Sequence, residues 1–227
     1  MLDDVKTHRG LTTERVVDAA LRAADEGGIE AVSLRRVAVA LEVTPMAIYR
    51  HVRNKSHLLD LMAERLLEQV DLAPDELATW QDRLRRLLAS YQAVVAAHPA
   101  TPLLLSRPFV SPAALRASEA LLAILHNAGF DAGQSVRLMQ VISGMLLGPA
   151  IHRATWAAAS RDFPPDSARQ QASMEGLSAG EFPYLSSAAD QFMDWSAGAD
   201  ADRLTIELLV GGLEALAAQN RGWGVEG

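Results

Sequence analysis

Cysteine is absent from the sequence, which excludes disulfide bonds, thiolate zinc sites and a cysteine nucleophile. A membrane-spanning run is also missing, because the longest nearly uncharged apolar stretch, Leu138–Ile151, is shorter than the ~20 residues that a bilayer requires. Residues 1–10 contain charged side chains and no apolar segment of the kind that secretory signals have. We therefore expect a cytoplasmic protein with no membrane partner.

The residue patterns of most enzymes are missing as well. The sequence has no paired acid and base, nucleophile triad, phosphate-binding loop or metal-ligand cluster at a usable spacing. His51 has no second ligand three or four residues away, and His98, His126 and His152 are isolated. We therefore predict no enzymatic activity, no cofactor and no metal site.

The charge is unevenly distributed along the chain. Hydrophobic residues make up 49% of the 227 residues, as in a folded protein with a core, and the formal net charge is −7. Residues 33–57 nevertheless carry five cations against one anion, a local balance of +4, so the remainder carries −11. The cations are Arg35, Arg36, Arg50, Arg53 and Lys55. A basic patch on an acidic body is typical of a protein that docks on DNA with one end.

Helical periodicity recurs throughout, and alternating strand patterns are essentially absent. The first four helices are predicted at 13–26, after Ser33, from Pro45 to about His51, and from about Lys55. Thr12, Ser33 and Thr44 are the predicted N-caps of the first three. Six further helices are predicted at about 79–97, 102–106, 112–127, 132–158, 185–195 and 202–219, with a loop at about 160–180. The prediction is an all-α protein with a helix-turn-helix domain at 11–70 and a larger domain at 75–220.

The second and third helices form a helix-turn-helix pattern. They are joined by a short turn, and the second of the pair is short and basic, so it suits the major groove of DNA. Thr44 can both cap this helix and donate to a phosphate. Pro45, Met46 and Ala47 present apolar groups to thymine methyls. Arg50 contacts either a phosphate or a base, and the pattern leaves both open.

The same segment resembles the DNA-binding signature of the TetR family. The resemblance covers roughly residues 11–60 and rests on three runs, Ser33–Ala38, Val43–Lys55 and Leu58–Leu59. It implies that Tyr49, His51 and Lys55 contact phosphates and that Arg35 reaches into the groove from the second helix. For Arg36 and Arg53 a solvated helix face is an equally good interpretation. The predicted DNA-binding residues are Arg35, Arg36, Thr44, Pro45, Met46, Ala47, Tyr49, Arg50, His51 and Lys55.

Glu42 departs from the family pattern, because this turn position is usually glycine. If the turn requires a positive φ, a residue other than glycine costs on the order of 1 kcal/mol there. Glu42 also places a negative charge near the expected phosphates.

The second half resembles TetR-family regulatory domains more loosely, through its succession of helices, Phe182–Leu185 and the final helix. This resemblance implies a homodimer in which the eighth and last helices of two subunits form a four-helix bundle. The final helix also mixes small and large apolar residues, and Gly211-Gly212 is costly unless backbones pack closely. The candidate interface residues are Ile206, Leu209, Val210, Leu213 and Leu216. The alternative is an intramolecular core helix.

An effector pocket is expected among the helices between Trp80 and Trp156. Its methionine and aromatic content suits a largely apolar or aromatic ligand, although each candidate residue is also suited to ordinary core packing. The candidates are Trp80, Leu84, Tyr91, Leu104, Leu125, Met139, Ile142, Met145, His152 and Trp156.

The predicted function is a ligand-responsive homodimeric repressor, released from an inverted-repeat operator by a small molecule. One alternative is an all-helical small-molecule-binding protein or enzyme that retains a vestigial helix-turn-helix. Another is an architectural DNA-binding protein without an effector.

Overall fold

The structure is a computed structural model that describes residues 10–72, 79–99, 101–107, 110–162, 172, 174–189 and 198–223. Within these ranges every regular element is a helix, which confirms the all-α prediction. None of the helices in this described part is both long enough and apolar enough to cross a bilayer.

Four helices form the N-terminal unit, and polar side chains cap three of them. The helices are α1 (Thr13–Gly27), α2 (Leu34–Ala40), α3 (Pro45–Tyr49) and α4 (Lys55–Leu67), with a 3₁₀ turn at Ile29–Ala31. The Thr12 and Ser33 side chains accept hydrogen bonds from the backbone N–H groups of Arg15 and Arg36, as predicted. Asn54 caps α4 in the same way, by accepting from the N–H of His57. Each cap satisfies one of the N–H groups that a helix start leaves without an intrahelical partner.

The N-terminal unit is held together by the apolar faces of these helices. α1 packs against α2 and α4, and α2 packs against α3. Val16, Val37, Ile48, Leu58 and Met62 are fully buried at the centre. The positions i, i+3 and i+4 of each helix therefore face one core, and the remaining faces of α2 and α3 are left exposed.

Six further helices complete the described part of the chain. They are α5 (Trp80–Ala97), α6 (Pro102–Leu105), α7 (Pro112–Asn127), α8 (Ala132–Asp162), α9 (Pro183–Ser187) and α10 (Gly198–Trp223). α8 continues to Asp162, beyond its predicted end. About half of the predicted loop at 160–180 and part of the predicted helix at 185–195 lie outside the described residues.

The last helix, α10, packs against α5 and α8. Two ion pairs fix its position: Arg85 Nε lies 3.1 Å from Glu207 Oε1, and Arg153 lies 3.2 Å from Asp202 Oδ2. The second ion pair is the stronger one, because Asp202 is largely buried and accepts hydrogen bonds from both terminal nitrogens of Arg153.

The predicted dimer stripe of α10 is mostly the core of a single subunit. Ile206, Leu209, Val210 and Leu213 are buried within the protomer, and only Leu216 of the predicted set is exposed. The buried residues face α5 and α8, so they are not available to a second subunit, and the prediction for these four is wrong. Leu204 and Leu208 lie on the opposite side of α10 and are exposed.

Polar contacts join the N-terminal unit to the larger one. The carboxylate of Glu64 on α4 accepts a hydrogen bond from the backbone N–H of Ala113 at the start of α7, with oxygen distances of 3.0 and 3.1 Å. Asp25 Oδ2 near the end of α1 lies 2.9 Å from His98 Nδ1 at the end of α5. A rotation of the whole N-terminal unit relative to the larger unit must therefore change both contacts.

Candidate DNA-binding surface and effector cavity

The exposed faces of α2 and α3 carry both basic and apolar side chains. On α3, Met46 is 72% exposed and Tyr49 is 51% exposed, and Pro45 and Arg50 are exposed beside them. A large apolar side chain that is this exposed on a five-residue helix contributes little to its own core. The face therefore combines groups that can meet thymine methyls with groups that can meet phosphates or base edges.

The burial of Ala47 and the hydrogen bonding of Thr44 differ from the predictions made from the sequence. Ala47 is 3% exposed and packs beside Ile48 in the core, so we remove it from the proposed base-reading set. A one-turn helix has too few residues for periodicity to orient each side chain, so the sequence does not reveal that Ala47 faces inward. Thr44 occupies the N-cap position and is exposed, but its side chain makes no capping hydrogen bond in the described structure.

Arg35 and Arg36 are adjacent in sequence but have different surroundings. Both are exposed on α2. Arg36 Nη2 lies 3.6 Å from Glu26 Oε2 on α1, which draws this guanidinium toward the neighbouring helix. Val39 lies one turn after Arg35 and is 72% exposed. Sequence reasoning missed Val39, because an isolated valine on a helix gives no signal until the core face has been identified.

His51 and Lys55 lie where α3 leads into α4. His51 Nδ1 lies 3.3 Å from the Thr13 hydroxyl of α1, which holds the half-buried ring. If that hydroxyl donates, the neutral ring carries its hydrogen on Nε2, where a phosphate oxygen can accept it. Lys55 is exposed at the first position of α4, beside backbone N–H groups at the positive end of the helix dipole.

In the turn between α2 and α3, Glu42 adopts the left-handed conformation that glycine would adopt without strain. Glu42 has φ +54°, and it is the only residue other than glycine with a positive φ in the described chain. The N–H of Val43 donates to the carbonyl of Ala38, and the N–H of Glu42 donates to that of Val39. This is the hydrogen-bond pattern of a Schellman motif, in which glycine usually holds the position of Glu42.

We expect Glu42→Gly to stabilise the protein by about 0.5–1 kcal/mol. A left-handed conformation costs about 1–2 kcal/mol without glycine, and the extra unfolded-state entropy of glycine offsets about 0.5–1 kcal/mol of the gain. The free energy of unfolding by denaturant measures the change. Glu42→Gln is the control, because it removes the charge and keeps the strain. Equal stabilities of the two variants would contradict the strain argument.

A cavity of about 450 Å³ lies between α4, α5, α7 and α8. Its wall is mostly apolar and includes Leu67, Leu87, Leu88, Leu121, Met139 and Ile142. The polar side chains on the wall are Tyr91, Arg107, Ser118, Gln140 and Ser143. Burial raises the pKa of the Tyr91 phenol to about 12, so this group is neutral at physiological pH. The cavity therefore suits an apolar molecule that carries a few polar groups.

Only part of the predicted pocket set lines this cavity. Tyr91, Met139 and Ile142 line it. The others divide between the packed core and the outer surface: Leu84, Leu104 and Leu125 are fully buried, Trp80 is half-buried, and Met145, His152 and Trp156 are exposed. The exposed three do not line this cavity, although at about 100° per residue they lie within a quarter turn of Ile142 around the α8 axis. Ligand contact by these three stays a prediction.

Comparisons with known proteins cover both halves of the chain. Residues 16–62 match the family model described as bacterial regulatory proteins, tetR family. Residues 73–217 match the model of the tetracyclin repressor-like C-terminal domain. The two matched segments correspond to the helix-turn-helix unit and to the unit that contains the cavity.

Individual proteins are similar over nearly the full length. The HTH-type transcriptional repressor DrrR1 from Streptomyces coeruleorubidus is 32% identical over 222 residues, covering 93% of this chain and 80% of that protein. The tetracycline repressor protein class D from Escherichia coli is 30% identical over 215 residues, covering 90% and 89%. The fold is similar to that of Streptomyces coelicolor ActR in complex with actinorhodin, with a TM-score of 0.73 at 24% identity over 92% of this chain and 99% of that one.

Proposed function

The chain belongs to the TetR family of bacterial regulatory proteins, and from this premise we propose that it is a homodimeric repressor that a small molecule releases from its operator. Binding to DNA and regulation of transcription follow from the family. We further propose residues 11–70 as the DNA-binding domain and residues 75–220 as the regulatory and dimerisation domain. Members of this family are regulators rather than enzymes, so the proposal assigns no catalytic step.

The observation that carries the proposal is the exposed face of α2 and α3 beside the basic start of α4. Met46 and Tyr49 on α3 are too exposed to contribute to the core. Arg35 on α2 and Lys55 on α4 are exposed on the two helices that flank α3 in the sequence. We assign Lys55, Tyr49 and His51 to phosphates, and Arg35, Val39 and Met46 to bases. Arg50 stays a candidate for either partner.

The cavity supports regulation by a small molecule. Its size and its mostly apolar wall suit an aromatic ligand, and the similar protein ActR is known in complex with actinorhodin. An architectural DNA-binding protein requires no such cavity. Leu67 and Val70, from α4 and the residues after it, also line the cavity, so a bound ligand touches the segment that begins at Lys55.

Dimerisation is supported by the outer faces of α8 and α10. Val141 and Met145 on α8 and Leu204 and Leu208 on α10 are exposed although they are large and apolar. A Cβ added at Gly211 would meet nothing within 4 Å, so packing inside one subunit does not require this glycine. A glycine inside a helix costs about 1 kcal/mol relative to alanine, and close packing against a second subunit would explain it.

The test is selection of operator DNA from random duplexes by the full-length protein. We expect an inverted repeat whose half-sites lie one or more helical turns apart, at ~34–36 Å per turn. The symmetry reports on the dimer, and the enriched bases report on Arg35, Val39 and Met46. Recovery of no sequence, or of one without two-fold symmetry, would contradict a dimeric operator-binding protein.

A further inference from the structure

Arg107 has two roles in the structure, because it lines the cavity and also contacts α4. It lies just after α6 and is one of the side chains on the cavity wall. Its Nη2 donates a hydrogen bond to the Ser56 hydroxyl at 3.3 Å and lies 3.6 Å from Asp60 Oδ1. Ser56 directly follows Lys55. One guanidinium therefore connects the effector cavity to the first two turns of the helix that begins at the DNA surface.

The charges of the cavity wall favour one class of ligand. Among the described residues that line the cavity, Arg107 is the only charged one, and the other polar groups are the neutral side chains of Tyr91, Ser118, Gln140 and Ser143. A cationic ligand would meet a like charge and no carboxylate on this wall. An acidic ligand would meet a guanidinium that can bind a carboxylate through two parallel hydrogen bonds. The remaining wall would hold an apolar body.

We propose that the effector is an aromatic or similarly apolar acid, whose carboxylate or comparably acidic group takes Arg107 away from Asp60 and Ser56. This inference rests on the proposed function of the cavity as the effector site. Ligand and α4 compete for the same guanidinium, so binding of the acid removes a contact that holds the start of α4 against the larger domain. Glu64, one turn after Asp60, keeps its bond to Ala113, and α4 is then held near its C-terminal end while its first turns are released.

The exchange gives the ligand the differential affinity that a conformational switch requires. An equilibrium shifts only if the ligand binds one state more tightly than the other. With Arg107 on Asp60, the acid lacks its counter-ion; with Arg107 turned to the cavity, the acid is paired and the contact to α4 is lost. The Asp60 pair is partly exposed and long, and such pairs are weak. A ligand carboxylate that is shielded from water in the cavity and accepts two hydrogen bonds from Arg107 can replace Asp60.

The test uses two matched probes, anthracene-2-carboxylate and its neutral isostere anthracene-2-carboxamide, each titrated by fluorescence against the full-length protein. We expect the acid to bind about tenfold more tightly than the amide, as expected for a charge-assisted hydrogen bond. Arg107→Gln should abolish this preference and leave the affinity for the amide unchanged. Arg116→Gln removes an exposed arginine from α7, and it should preserve the preference. Ala117→Phe fills the cavity and should weaken binding of both probes.

The competition has its own readout. Asp60→Asn removes the competing carboxylate and should strengthen binding of the acid by about two- to fivefold, the range expected for an exposed ion pair, with no effect on the amide. Unchanged affinity of Asp60→Asn for the acid would overturn the exchange. Equal binding of acid and amide by the wild-type protein, still sensitive to Ala117→Phe, would overturn the acidic class while the effector cavity stands. Failure of operator selection would instead count against the proposed function itself.

Discussion

Operator affinity falls by at least two orders of magnitude when Arg35 and Tyr49 are both replaced by alanine. A bidentate arginine–guanine contact is worth about 1–3 kcal/mol, and a hydrogen bond to a charged phosphate about 1.5–3 kcal/mol. Both contacts occur twice on a two-fold symmetric operator. Arg35 is exposed and Tyr49 is half exposed, so the substitutions leave the core intact. A gel shift on the selected operator measures the loss.

Single substitutions separate the two contributions. Tyr49→Phe removes only the hydroxyl and should weaken binding on all sequences alike, because a phosphate contact carries no base information. Arg35→Ala should instead relax the preference at one base pair of each half-site. Arg116→Ala, an exposed arginine on α7, controls for the loss of a positive charge. If the double variant binds the operator within threefold of the wild type, α2 and α3 do not form the DNA-binding surface.

Local chemistry made most of the N-terminal unit predictable. Thr12 and Ser33 were predicted as N-caps, and both accept the expected N–H bonds. Glu42 stood out only through the resemblance to the TetR family, in which this turn position is usually glycine, and its φ is positive. Each of the two caps joins residues three positions apart. They are therefore visible in a single sequence.

Helices with two apolar faces were less predictable. On α10, the stripe through Leu209 and Val210 is buried inside the protomer, and the stripe through Leu204 and Leu208 is exposed. Periodicity identifies both stripes but gives no information about which one meets its own subunit. On α8, Met145 lies one turn after Ile142, so periodicity places it beside the cavity, but its side chain is 38% exposed and does not line the cavity.

The cavity wall could not be predicted residue by residue. Arg107 contacts Ser56 and Asp60, which lie 51 and 47 positions earlier in the chain. Nothing in its local sequence distinguishes it from a solvated loop arginine. Its position becomes meaningful only when α4, α6 and α7 are brought together, because the wall is made by helices that are distant in the sequence.

We expect Leu208→Glu, a substitution on the exposed face of α10, to dissociate the dimer. Leu208 is 60% exposed in the protomer, and burying a leucine in an interface contributes about 1.5–3 kcal/mol. Two-fold symmetry doubles the loss and adds two uncompensated carboxylates, so we expect the dimer dissociation constant to rise by roughly 10²–10⁴-fold. Sedimentation analysis over a range of concentrations measures it.

Leu115→Glu is the matched control, because Leu115 is 59% exposed and belongs to α7 rather than to α8 or α10. It introduces the same charge at the same exposure and should leave the dimer unchanged. Operator affinity should fall with the dimer in Leu208→Glu, since one subunit reaches only one half-site. A Leu208→Glu protein that remains dimeric at wild-type concentrations would place the interface elsewhere, and the exposed Leu204–Leu208 stripe would then require a different explanation.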